Sequence, residues 1–243
     1  MPPTVILVRH AQALHNVEKD YSLHDPVLSE LGRQQCAELK AHITPTILKD
    51  LDVGLIIVSP SIRTIETALL AFGDLIGKGV PIVAHAGWQG NSLSPCDTGT
   101  PLPTLTKLFP QIDFSTVDPL YPDKTSPAAA PIYGCTRPAI LARGQAVLRD
   151  LRARPEKAVV VVSHSGFLRV GVTGRFFMNA DFRVVEFLEG DGEGGGGVGL
   201  RLWEGMEAGG MGWSWDRVVP LGDGLPEEDG AVDGAAAEVV DGV

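Results

Sequence analysis

At 243 residues, with 44% hydrophobic and 21% charged residues, the chain can bury a substantial core and has the balance of a folded, water-soluble protein. A net charge of −10 argues against nucleic acid or an anionic membrane surface as partner. No apolar run approaches the roughly 18 residues of a membrane span, and no basic segment followed by an apolar signal core opens the chain, so cytoplasmic residence is expected.

In chain order, "TVILV" (4–8), "LIIVS" (55–59), "PIVAH" (81–85) and "AVVVVS" (158–163) predict strands. The first, second and last are nearly continuous in apolar residues, as strands covered on both faces are. Between them, "SELGRQQCAELKAHI" (29–43) predicts a helix capped by Ser29, with Cys36, Leu39 and Ile43 at three-to-four spacing. Ile62, Ile65, Leu69 and Phe72 predict a second helix, and Ile140, Leu141, Val147, Leu148 and Leu151 a third before Pro155. The alternation predicts an α/β fold, a three-layer sandwich with a mostly parallel central sheet. "FRVVEFLE" (182–189) and "VGLRLWE" (198–204) predict a hairpin that adds an antiparallel edge, joined by a Gly-rich linker.

One domain is expected over residues 1–220. Residues 86–136, rich in Pro, Ser, Thr, Gly and Asp, read as a long insertion serving as a substrate lid. Residues 221–243 read as an acidic, disordered tail; from Val218 on there are seven acids and no Lys or Arg, which leaves the body nearly neutral. Cys36, Cys96 and Cys135, an odd number at wide spacing, predict reduced thiols, with no metal and no cofactor implied. Oligomeric state is not encoded legibly.

Ligands of open α/β sheets collect at the carboxyl ends of the strands. The first strand delivers Arg9-His10, the second Ser59-Pro60 and then Arg63, and the fourth Ser163-His164-Ser165-Gly166. Two guanidinium groups and two imidazoles sent to one sheet edge would repel unless an anion sits among them. A phosphoryl group fits, since Arg binds its oxygens bidentately and a neutral imidazole can attack phosphorus. Other residues have plainer readings: His15 and His85 as structural or surface, Arg143 on a solvated helix face with Arg149, Arg152 and Arg154, Asp25 in a turn, and Glu66 in a salt bridge within its own helix.

"LVRHAQALHN" (7–16), "DPVLSELGRQQ" (25–35), "VSPSIRTIETA" (58–68) and "VVSHSGFL" (161–168) together resemble the histidine phosphatase superfamily, in its phosphoglycerate-mutase-like branch, over about residues 5–183. The resemblance implies His10 as the nucleophile that becomes a phosphohistidine, Arg9 and Arg63 as clamps on the phosphoryl oxygens, His164 as its stabiliser and Asn16 as a phosphate contact. Gln12 and Ser165, within these motifs, and Trp88, at the mouth of the insertion, complete the candidate substrate-binding set.

Ala11 and Ser165 replace family glycines. The larger departure is in "WQGNSLSPCDTG" (88–99), where Gly90 stands at the position of the family's proton-donating Glu. Asp97 could supply the proton instead, or could be an Asx-turn residue. The expected function is a metal-independent phosphohydrolase of a small phosphoester or diphosphate. The alternatives are a degenerate phosphate-binding module, or the scaffold reused for acid/base chemistry on a specialised metabolite; a mutase fits less well. The implied partner is a small phosphorylated or anionic substrate.

Overall fold

The structure is a computed structural model and describes residues 1–189 and 197–228. Six strands form one sheet: β1 (Thr4–Arg9), β2 (Val53–Val58), β3 (Ile82–Ala84), β4 (Ala158–Ser163), β5 (Phe182–Phe187) and β6 (Leu200–Leu202), in the order β3-β2-β4-β1-β5-β6. The pairs β1·β4, β2·β4 and β2·β3 are parallel, whereas β5 runs antiparallel to β1 and β6 antiparallel to β5. The apolar runs thus form a mostly parallel sheet with an antiparallel edge. The Gly-rich linker predicted inside the hairpin falls largely on 190–196, outside the described residues.

Alternate residues of the central strands point to opposite faces. Ile6 and Val8 of β1, Ile56 and Val58 of β2, and Val160 and Val162 of β4 share one core cluster with Cys36, Leu39, Ile43 and Ile65. Val5, Leu7, Leu55, Ile57, Val159 and Val161 share the other with Ile140, Leu148, Leu151 and Phe167. Both faces are therefore covered, which is why the strand sequences show no polar alternation.

The first cluster is closed by α2 (Glu30–Ile43) and α3 (Ile62–Ala71), the second by α7 (Arg137–Arg152) and α8 (Ser165–Phe167), which runs into a wider π-type turn over Leu168–Thr173. The shorter helices are α1 (Leu14–Val17), α4 (Gly73–Gly77), α5 (Leu102–Leu108) and α6 (Ala130–Tyr133). Helix α2 starts as its sequence predicts: the Ser29 hydroxyl accepts from the Gly32 amide at 3.0 Å. Helix α3 is capped from a distance, because Asp25 Oδ1 accepts from the Ile62 amide at 3.0 Å while Oδ2 accepts from the Thr100 amide at 2.8 Å. Asp25 is more than the turn residue its Pro neighbour suggests. Among the described residues no helix is long and apolar enough to cross a membrane.

Several expectations are corrected. Residues 86–136 divide between two tasks: Ile112, Phe114, Val117, Tyr121 and Tyr133 are buried in the first core cluster and cover the sheet, whereas Leu93, Asp97 and Cys135 line the cleft described below. The tail does not become disordered at 221. The Gly222 amide donates to Val170 O, the Arg137 amide to Pro226 O, each at 2.7 Å, and Glu227 pairs with Arg137 at 3.2 Å. Residues 229–243 of that segment lie outside the described residues. Glu66 pairs across helices with Arg33 of α2 at 3.2 Å and accepts from the Leu28 amide, rather than pairing within α3.

Candidate active site

Register brings the strand exits together. Arg9 lies beside Ser163 in the β1·β4 pair, and Val58 beside Val162 in β2·β4, so the residues that follow them leave the sheet side by side. The His10 amide donates to Ser163 O at 3.0 Å and the Ser59 amide to Val162 O at 3.0 Å, which extends the ladder one step into the loops. From there the chain after β1 turns to the α2 face and the chain after β4 to the α8 face, opening a crevice between adjacent strands.

Four predicted residues meet in that crevice. His10 Nδ1 lies 2.7 Å from Ala11 O, and Arg63 Nε donates to His10 Nε2 at 3.3 Å. A guanidinium only donates, so Nε2 carries the lone pair and Nδ1 the proton. Burial, then the charges of Arg63, His164 and Arg9, hold His10 well below the usual imidazole range, so the ring is neutral. The ring centroid of His164 stands 5.3 Å away; its Nδ1 accepts from Arg63 Nη2 at 2.9 Å, which leaves Nε2–H to face Ser59 Oγ at 2.9 Å. Burial and the Arg63 and Lys124 charges keep it neutral as well. Arg9 Nη1 donates to Phe177 O at 2.9 Å, and the Ser165 hydroxyl donates to the same carbonyl at 3.0 Å. That loop is fixed by the fully buried Arg183, which donates to Phe176 O at 2.7 Å.

Asp97 completes the inner wall. Its Oδ1 accepts from Arg63 Nη2 at 2.7 Å, and Oδ2 accepts from the Ser92 hydroxyl at 2.7 Å. Burial alone pushes the carboxyl up, but the Arg63 and Lys124 charges and the Ser92 hydrogen bond together bring it down to about 2. A Cβ built on Gly90 would stand 2.5 Å from the carboxyl atoms of Asp97. The Asp97 carboxylate therefore occupies the space that a side chain at position 90 would enter.

Two buried cations that the sequence did not place at the site hold this loop. Lys124 Nζ donates to Gly90 O, Ser92 O and Asp97 O at 3.2, 3.0 and 2.8 Å. Arg143 Nη2 donates to Gly90 O at 3.1 Å, with its guanidinium 4.3 Å over the Phe167 ring. The solvated-face expectation for Arg143 is thus corrected. Its spacing from Ile140, Val147 and Leu151 places it on the buried stripe of α7, a signal present in the sequence. Lys124, in "YPDKTSP", follows no apolar period and could not be found that way.

Arg9, His10, Asn16, Arg63, Asp97, His164 and Ser165 all line one cleft of about 450 Å³. His15, expected to be structural or on the surface, is buried and lines it too, its ring 5.8 Å from His10; Asn16 Nδ2 donates to its Nε2 at 3.0 Å. Gln12 and Trp88 are corrected. Gln12 Oε1 accepts from the Ser29 hydroxyl at 2.7 Å, which ties it to the start of α2. Trp88 is fully buried, edge-on to Phe167 at 5.9 Å, because the turn after β3 drops into the second core rather than standing at the cleft mouth.

The profile of the histidine phosphatase superfamily (branch 1) matches residues 5–180. A phosphoglycerate mutase-like protein of Arabidopsis thaliana is 36% identical over 203 residues, 68% of this chain and 72% of that one. Phosphoglycerate mutase-like protein 1 of the same plant is 32% identical over 199 residues, 68% and 69% of the two chains. Among solved structures, Bacillus stearothermophilus YhfR has a TM-score of 0.52 at 18% identity over 82% of this chain and 96% of that one, a likeness of fold. The chain belongs to the histidine phosphatase superfamily, in its phosphoglycerate-mutase-like branch, and with that to a family of phosphatase enzymes.

Proposed function

We propose that the protein is a metal-independent phosphohydrolase that works through a phosphohistidine on Nε2 of His10. The observation that carries this is a neutral imidazole with its proton at Nδ1 and its lone pair turned toward Arg63, among Arg9, His164 and Asn16. Arg9 and Arg63 would take the phosphoryl oxygens and stabilise charge as it develops. His164, held neutral by burial and the neighbouring charges, would take up a proton as the dianion arrives and donate from Nδ1.

In the first step the Nε2–P bond forms, the P–O bond to the leaving group breaks and the leaving group departs with the electron pair. Asp97 is ionised at neutral pH and has no proton to give it. In the second step water attacks phosphorus, the N–P bond breaks, and the Asp97 carboxylate can accept the water proton. The substrates that suit this division are those whose leaving group departs without protonation, such as acyl, enol or aryl phosphates and diphosphates.

The test is a series of phosphoesters graded by leaving-group acidity, with radiolabel trapping on His10. Turnover should rise steeply with leaving-group acidity, and His10→Ala should lose at least about 10³-fold with no label retained. A flat dependence, or turnover surviving His10→Ala, overturns the mechanism. Tight binding of phosphate with no turnover of any ester would instead mark a binding module.

A further inference from the structure

The phosphoryl end of the cleft is built by β1, α3 and the exit of β4; its outer end is built by chain returning from beyond β6. Residues 223–226 line the cleft between two anchors, the Gly222 amide on Val170 O and Pro226 O on the Arg137 amide, both at 2.7 Å. Glu227 reinforces the second anchor through its pair with Arg137. Val170 and Leu225, both at the cleft, are packed on the second core, and Leu93, from the loop that carries Asp97, stands 45% exposed while also lining the cleft. An exposed leucine beside a polar catalytic pocket gains only if an apolar group covers it. Among the described residues that line the cleft, the charged ones outside the inner cluster of guanidinium, imidazole and Asp97 are Arg169 and Asp223, one of each sign.

We propose that residues 223–226 form a specificity wall which, with Leu93 and Val170, grips the leaving group, and that this group has an apolar skeleton and no second phosphate or carboxylate. The substrate class narrows to aryl or acyl phosphates of apolar carbon frameworks, a step that rests on the phosphohydrolase reading above. The inner end holds the one phosphoryl group. The balanced charge at the outer end offers nothing to desolvate and hold another anion.

Binding separates this proposal from the chemistry. Titration calorimetry with 1-naphthylphosphonate, which cannot be hydrolysed, and with inorganic phosphate should show the naphthyl compound bound more tightly by the wild-type chain. Leu93→Ser and Leu225→Ser, each in the full chain, should weaken naphthylphosphonate about tenfold and leave phosphate within twofold. Equal weakening of both ligands, or of neither, overturns the wall. Leu93 is on an exposed lip, so its variant decides the matter if Leu225→Ser fails to fold. Turnover of 1-naphthyl phosphate by wild type, absent in His10→Ala, tests the underlying reading separately; the binding contrast stands or falls without it.

Discussion

At position 90 the chain has no side chain, and the carboxylate of Asp97 stands where one would go. Family likeness places a proton-donating Glu there, and a carboxylate held at about 2 does not replace it as an acid, because at neutral pH it is ionised against Arg63 and Ser92. It can replace it as a base. On the proposed mechanism the two roles that one glutamate would combine are divided: the leaving group would leave unaided, and only the water step would be assisted. Gly90→Glu alone should drive its Cβ into the Asp97 carboxylate and set two acids together, costing about 1–3 kcal/mol of stability. Gly90→Glu with Asp97→Ala should relieve the conflict and raise kcat/KM toward alkyl phosphates by about 10²-fold, with little change for aryl phosphates. Equal gains on both substrate types would show that leaving-group protonation is not what the wild-type chain lacks.

The loop over residues 90–97 holds one short 3₁₀ turn, Pro95–Asp97, and is otherwise tied down by Lys124 and Arg143, whose donors converge on Gly90 O. Burial lowers Lys124 to about 8, with Arg143 and Arg63 adding to the shift and Asp97 and Cys96 opposing it. Below that pH the ammonium spans three carbonyls; above it the charge is lost and the loop that carries Asp97 loosens. Lys124→Met should slow phosphohistidine breakdown more than its formation in rapid-quench experiments, and destabilise the chain by about 1–3 kcal/mol for the carbonyls left without a donor. Breakdown in the wild type should fall above about pH 8, and in Lys124→Arg that limb should move to higher pH; a limb that stays at 8 would detach it from Lys124. The part Lys124 plays was not legible in the sequence, whereas β1, β2, β4, α2 and the convergence of the strand exits were. A strand buried on both faces leaves a continuous apolar run, and a helix leaves a three-to-four stripe and a cap. Lys124 and the anchored residues 223–226 leave no such trace, since they are placed by long-range hydrogen bonds and not by a period; Arg143 did leave one, its place on the buried stripe of α7, and its charge hid it. Gln12 and Trp88 depart in the opposite direction: a place inside a motif and a place at the mouth of the insertion suggested the site, and packing took both into the scaffold.

Across the whole molecule, stability carries the cost of holding imidazoles neutral in a cationic pocket. His10 and His164 lie well below the ordinary histidine range through burial and neighbouring charge, and His85 is lowered chiefly by burial. In the unfolded chain each binds a proton as pH drops below about 6.5; in the fold it does so only at lower pH. The unfolded state then binds more protons, so unfolding becomes easier on acidification by up to about 1.4 kcal/mol per pH unit for each such group. Asp97 works in a different window. Its carboxyl is lowered from 3.8 to about 2, so its contribution is present above pH 3.8 and is lost only as pH falls toward 2. Between pH 6.5 and 5 the imidazoles therefore set the slope, and Tm should fall through this range. His10→Gln combined with His164→Asn should flatten most of that fall, leaving the part due to His85. Saturating phosphate should flatten it in the wild type, because an oxyanion between the two rings favours their protonated forms and restores proton uptake to the folded state. If the double variant keeps the full wild-type slope, the buried pair is not what links this fold to pH, and the anion pocket is not where the charge is stored.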